Sequence, residues 1–566
     1  MAPRITDVPG LDAAVAAVRG RRDEWARTSL AQRIALLRRC LDGYLRTADG
    51  VVVEGCRAKG IDPASVMAGE ECLSGPIPVI RQIRLLVESL TGIQRTGYPQ
   101  LPSGAVKRAA TGELAVKVFP RGSMDRVMYP GTRMDVWMQT DVDEATLRGT
   151  MAPMYREERP AGKVALVLGA GNVAAIAPTD VLYKLFVEHS VVVLKMHPVN
   201  AYLGPLLERA FEALVTPGYL RIVYGDVVEG QYLIHHAGVD TVHMTGSAAV
   251  HGRIVWGDTP DEQARRRAAG TPKLTKTVTS ELGCVTPTVV VPGRWSDAEL
   301  HYQAQHVATM VAHGASCTCI AAKVLVTWRG WPQRQAFLDR VAAVLSRLAP
   351  RTAYYPGAAD RYAAFMRAHP QARRLSEPPG GTLGCATIYD VDPSLAGALV
   401  FTEEAWSPVI AETSLDARSE AALIGEAVAF CNDRVFGTLS MGMLVSPRSL
   451  RELRGGIHEA VAALRYGTVS INHWSGINFV LGNGPWGAYP GHTLHDAGSG
   501  IGVVHNPLMF ERPLKTVAWG PFTVWPKPAW FVTHRRADAV ARRIAAFEAA
   551  PSPWRLPAIA WAAMRS

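Results

Sequence analysis

The chain has 566 residues, close to half of them apolar, and a formal net charge of +10. That length calls for two or three domains rather than one small core. The basic clusters (Arg19-Gly20-Arg21-Arg22, Arg265-Arg266-Arg267, and Arg535-Arg536 with Arg542-Arg543) are short and lack interleaved aromatics, which argues against a nucleic-acid groove. Eight cysteines are scattered without disulfide or zinc spacing, Met1 leads into a polar segment unlike a signal peptide, and no run of about 18 apolar residues occurs. A cytoplasmic protein with reduced thiols and no membrane contact is expected.

In chain order, helical periodicity covers residues 11–59 and continues over 63–90, interrupted at Gly75-Pro76-Ile77-Pro78. Residues 91–115 have no period and read as a loop, whereas 124–140 alternate like extended strands and 143–151 like a helical link. Regular α/β alternation then begins. Strands are predicted at 163–168, 190–194, 220–224 and 241–244, with helices at 178–188, 203–214 and 230–236 between them. Fully apolar strands separated by amphipathic helices imply a mostly parallel, Rossmann-type sheet with a ligand at the carboxyl ends of its strands. Further α/β elements follow from 287 to 472, then a glycine-dense segment at 474–507 that reads as a long functional loop. Residues 512–566 hold five tryptophans and a basic amphipathic helix at 536–549, and they read as a tail packed on the body or on a partner subunit.

Two turns carry groups suited to covalent chemistry. Ser280-Glu281-Leu282-Gly283 ends one strand in a carboxylate, and His313-Gly314-Ala315-Ser316-Cys317-Thr318-Cys319 puts thiols on a small-residue turn. Rigid elements that present a nucleophile and a base on adjacent turns are a common catalytic arrangement. Gly169-Ala170-Gly171-Asn172-Val173-Ala174 also fits a relaxed dinucleotide fingerprint, but the next strand ends in Lys195-Met196-His197 with no acid for a ribose. His492, His495 and Asp496 lack a third ligand, so no metal is expected.

Taken together, these motifs resemble the aldehyde dehydrogenase superfamily, over roughly residues 34–507. The resemblance implies an α/β fold with a Rossmann-type cofactor domain (1–282, including oligomerisation strands in 124–160), a catalytic domain (283–472), a return segment (473–511) and a C-terminal extension (512–566). It implies Cys317 as nucleophile, Glu281 as general base and Asn172, with the Cys317 backbone N–H, as oxyanion donors. Lys195, Gly171, Gly246, Ser247, Leu282, Glu404 and Trp406 fall at cofactor-binding positions. NAD or NADP would be the cofactor, a small-molecule aldehyde the substrate, and a homodimer or homotetramer joined by strand addition the assembly. Trp406, Trp474, Trp486 and Phe479 suggest an apolar or aromatic approach to the thiol.

The chain departs from the family pattern in several places. Ala315 replaces the usual Gln, an extra residue separates Cys317 from Lys323, and Pro198 stands where an acid often follows the ribose lysine. The last change removes a repulsion against a 2′-phosphate. The rival thiol is Cys319. The rival activities are acyl-CoA or thioester reduction, CoA-acylating dehydrogenation, and an inactive cofactor-binding scaffold; retention of Glu281 argues for hydrolysis.

Overall fold

Five strands, the two at Lys163–Leu168 and Ser190–Lys195 apolar and almost wholly buried, make the parallel part of a six-stranded sheet. A computed structural model describes residues 5–158 and 160–565; the Met1 segment lies outside the described residues. The strand order is Gly500–Ile501, Thr277–Glu281, Thr241–Thr245, Lys163–Leu168, Ser190–Lys195 and Leu220–Val223, with only Gly500–Ile501 antiparallel to its neighbour. From Lys163–Leu168 the chain first adds strands on one side, then returns to add Thr241–Thr245 on the other. The crevice where the order reverses is therefore bounded by residues 169–172 and 245–247, which is where open α/β sheets bind ligands.

A second sheet has eleven strands. Its parallel centre runs Pro513–Trp519, Thr468–Ile471, Ser440–Leu444, Pro287–Val290, Val324–Trp328, Val409–Leu415 and Ala386–Ile388. Arg373–Arg374 closes one end. The antiparallel strands Val106–Arg108, Leu114–Phe119 and Arg133–Met138 attach to the other through Pro513–Trp519. Both edges are short and basic (Lys107 and Arg108; Arg373 and Arg374), features that discourage another strand from adding.

Three sequence expectations change here. The 91–115 loop contains the end of helix Pro76–Thr96 and the strand Val106–Arg108, and Leu114 begins a buried strand. Residues 124–140 hold one strand, not two, because the helix Ser123–Met128 takes the first half; Asp125 accepts from the Arg121 N–H and faces Arg81. The C-terminal extension does not begin at 512. Pro513–Trp519 is an inner strand of the large sheet, and its hydrogen-bonding edges are satisfied within the same chain. The tail after it packs on the N-terminal helices. Helix Ala537–Ala549 lies on Ala68–Ser74 and Pro76–Thr96, tied there by buried Glu548, which pairs with Arg81 at 2.7 Å and with Arg84.

Candidate active site

Helix Asp297–Ala312 delivers the chain to the thiol turn. Ser296 caps its start in a reciprocal capping box with Glu299. Beyond Ala312 the backbone enters the left-handed region at Gly314, Ala315 and Ser316, with φ of 61°, 57° and 62°. Two successive non-glycine residues in that region store strain, which surrounding contacts must hold. The contacts are buried. The Gly314 N–H donates to Glu70 Oε2 at 2.9 Å, and Arg351 grips Glu70 with two bonds of 3.0 and 2.9 Å. Lys323 donates to the carbonyls of Ala321, Cys284 and Thr318 at 2.9, 3.0 and 3.3 Å, closing the far side of the turn.

The turn points its two thiols into different surroundings. Cys317, 2% exposed, reaches the carbonyls of Trp406 at 3.5 Å and Ala315 at 3.6 Å. Burial pushes its pKa up to about 12, while Lys59, Arg351 and Arg361 and a bond from Tyr354 act in the opposite direction. Cys319 donates to Glu281 Oε1 at 3.4 Å. Burial raises its pKa as well, and there Glu281 and Glu404 add to the rise. Cations favour a thiolate and carboxylates oppose it, so Cys317 is electrostatically the better nucleophile of the two.

Glu281 ends the strand Thr277–Glu281 and is buried. Burial first, and the nearby Asp180 carboxylate second, raise its pKa to about 7, while Trp486 and Cys319 act in the opposite direction. Its Oε2 has no protein partner. With Thr318, Cys319 and Ile320 it lines a cavity of about 40 Å³ that Trp474, Phe479 and Trp486 also border. A carboxylate poised near neutrality in an apolar cavity has the properties of a general base. Cys317 does not line this cavity.

Asn172 sits on the turn after Lys163–Leu168, and its Nδ2 donates to the Cys317 carbonyl at 3.0 Å. The Cys317 N–H donates to the Gly314 carbonyl at 3.1 Å. Both groups expected to face an oxyanion thus hold the turn as well; an amide nitrogen has a second N–H to offer. The Asn172 turn is itself pinned by Asn200 Nδ2, which donates to the Ala170 carbonyl at 3.2 Å.

The remaining expected positions divide. Gly246 and Ser247 are exposed at the start of helix Ala248–Trp256, with Ser247 accepting from the Val250 N–H. Lys195, at the end of the neighbouring strand, has its pKa lowered by burial while Asp226 and Glu229 oppose the shift. Glu404 is raised by burial against the pull of Lys323, 3.8 Å away. Its carboxylate lies where a Cβ on Gly283 would come within 1.7 Å of Oε2, so the glycine in Glu281-Leu282-Gly283 makes room for Glu404. Trp406, at φ 44°, stacks on Tyr355 with centroids 4.7 Å apart.

Gly171 and Leu282 are both closely packed. The His197 ring covers Gly171, where an added Cβ would lie 2.3 Å from Nδ1. Leu282 is enclosed, and its N–H is used by the Ser499 carbonyl at 2.7 Å. Sequence reasoning missed Glu70, Glu71, Lys59, Arg351, Tyr354 and Asp180. The two successive acids Glu70-Glu71 inside a buried helix were the one visible signal for that network. His492 bonds Thr438 and the Asp496 carbonyl, and His495 packs on Trp256.

A model of the aldehyde dehydrogenase family matches residues 137–353. An N-succinylglutamate 5-semialdehyde dehydrogenase of Burkholderia mallei is 29% identical over 335 residues, 53% of this chain and 60% of that protein. The chain spans three fifths or less of the length of the curated relatives it matches first. Among solved structures, an NADP-dependent glyceraldehyde-3-phosphate dehydrogenase from Bacillus halodurans complexed with NADP aligns with a TM-score of 0.58 at 16% identity, covering 90% of this chain and 91% of that one. An aldehyde dehydrogenase from Mycobacterium tuberculosis complexed with NAD+ aligns at 0.58 and 18% identity, covering 91% and 90%. The identities of these two structures carry the fold alone. The segment that matches the aldehyde dehydrogenase family spans the Asn172 turn, Glu281 and the thiol turn.

Proposed function

We propose that the protein oxidises an aldehyde to its carboxylic acid with NAD or NADP, through a thioester on Cys317. The observation that carries this reading is Glu281, buried beside the thiol turn with a pKa near 7. The residues of the crevice fit a dinucleotide: an exposed helix N-terminus at Gly246-Ser247 suits a pyrophosphate, Lys195 flanks it, and Glu404 holds a buried Oε1 without a hydrogen-bond partner. No carboxylate follows Lys195 to repel a 2′-phosphate, which is compatible with NADP as well as NAD. A bound dinucleotide supplies the hydride acceptor.

The chain's own groups do the rest. The Cys317 thiolate attacks the carbonyl carbon, forming the C–S bond, and the free N–H of Asn172 stabilises the resulting alkoxide. Once the adduct is oxidised to the thioester, Glu281 takes a proton from water, the hydroxide adds to the acyl carbon, and the C–S bond breaks to regenerate the thiolate. Trp474, Phe479 and Trp486 suit an apolar substrate. Eight free cysteines support a reducing, cytoplasmic setting. Assembly into a homodimer or homotetramer by strand addition remains part of this reading.

The test is reduction of NAD and NADP across an aldehyde panel, with and without CoA, for the wild type and Cys317→Ala. Turnover without CoA that vanishes in the variant is expected. Turnover only with CoA, or unchanged turnover in the variant, overturns the reading.

A further inference from the structure

The residues after 520 build a structure of their own. Ala529, Val540, Ala541, Ile544, Phe547 and Ile559 join Val52, Cys56, Cys72, Leu73 and Ile77 of the N-terminal helices in a hydrophobic cluster separate from the main core. This annex encloses a cavity of about 290 Å³, whose walls include Trp525, Trp530, Ile544 and Ile559 from the extension. On its inner side the cavity is bordered by Leu73, Ile477, Val480 and Trp530, and the same four residues border the 40 Å³ cavity that holds Glu281 and Cys319. The two spaces are therefore neighbours across these four side chains, the smaller one beside the thiol turn and the larger one under the extension. At the outer rim Val127 and Trp525 are 63% and 77% exposed.

We infer that the C-terminal extension forms a chamber for the alkyl chain of an unbranched, long-chain aliphatic aldehyde, whose carbonyl end lies at the thiol turn. The inference rests on the proposed function and names its substrate class. The smaller cavity, about 40 Å³, has room for only a few water-sized groups, which suits methylenes better than a ring. The chamber is also a poor host for an anionic tail. Lys527, the lysine or arginine on its wall, spends its donors on the Thr533 carbonyl and hydroxyl and on Gln305. The two histidines there, His306 and His473, are kept neutral by burial, with pKa values lowered to about 3 and about 4. A dicarboxylate such as succinylglutamate semialdehyde has no free counter-charge among the described lining residues. An alkyl chain needs none.

Binding tests this separately from chemistry. Calorimetry with the neutral series 1-hexanol, 1-octanol, 1-decanol and 1-dodecanol on the full chain should show Kd falling about fourfold for each added methylene. Ala560→Trp and Ala563→Trp, which fill the chamber from its lining, should raise the dodecanol Kd at least tenfold. They should leave hexanol affinity within twofold, which also reports an intact fold. A Kd independent of chain length, or an equal loss for hexanol and dodecanol in both variants, overturns the inference. The same chain-length trend is expected in kcat/KM for the aldehydes. Alkanol binding with the expected pattern but no aldehyde turnover would sink the proposed function and leave the chamber standing.

Discussion

Two thiols stand two residues apart on one turn, and the molecule treats them in opposite ways. Burial raises the pKa of both, but the charges Lys59, Arg351 and Arg361 pull that of Cys317 down, whereas Glu281 and Glu404 push that of Cys319 further up against the pull of Lys323. Spacing along the chain does not separate a nucleophile from a bystander; the sign of the neighbouring charge does. The largest expected effect follows from that contrast. Cys317→Ala should lower kcat by about 10³-fold or more, while Cys319→Ala should stay within about tenfold because only its contact with Glu281 is lost. Steady-state rates on both variants decide it, and a reversal of the two effects would assign the nucleophile to Cys319.

The carboxylate side of the turn is probed next. Glu281→Gln should cost about 10²-fold in the hydrolytic step. Glu281 works as a base when deprotonated, so the wild-type rate should rise with pH through about 7 and then level, and that limb should vanish in the variant. A smaller effect is expected at Gly283→Ala, where the new methyl group displaces the Glu404 carboxylate; the cofactor KM should rise about tenfold with kcat less affected.

The cationic side is probed by Arg351→Met. Alkylation of Cys317 by iodoacetamide at pH 8 should slow several-fold, because a cation that favours the thiolate is gone. The same change leaves Glu70 buried without its partner, at a cost of about 3 kcal/mol of stability in urea unfolding. Burial alone raises the pKa of Glu70, yet Arg351, His313 and the Gly314 N–H hold it at about 2, against an ordinary 4.5. The stability it contributes is therefore present above pH 4.5 and is lost as pH falls toward 2. Removing Arg351 should move the acid-unfolding midpoint upward.

Much of the site was legible in the chain because its signals are local. Apolar strands ended by glycine, asparagine or a carboxylate placed Asn172, Lys195 and Glu281 at the carboxyl ends of the six-stranded sheet, where the structure has them. The misread segments depend on distant partners. Leu114–Phe119 alternates no more clearly than a loop, and it becomes a strand because Val106–Arg108 and Arg133–Met138 pair with it. Residues 513–519 looked like the start of a tail and became an inner strand for the same reason.

The sequence by itself determined the succession of strands and helices along the α/β part of the chain, the small-residue turn and the presence of a thiol, a carboxylate and an amide able to act together. Periodicity and residue chemistry are properties of a few neighbouring positions and can be read there. Only the tertiary structure decided which thiol is influenced by cations, which carboxylate is buried deeply enough to titrate near 7, that Glu404 rests against Gly283, and that the tryptophan-rich end of the chain helps to wall a cavity of about 290 Å³. Each of those depends on charge and burial contributed by residues far apart in the chain, and burial has no value until the chain is folded.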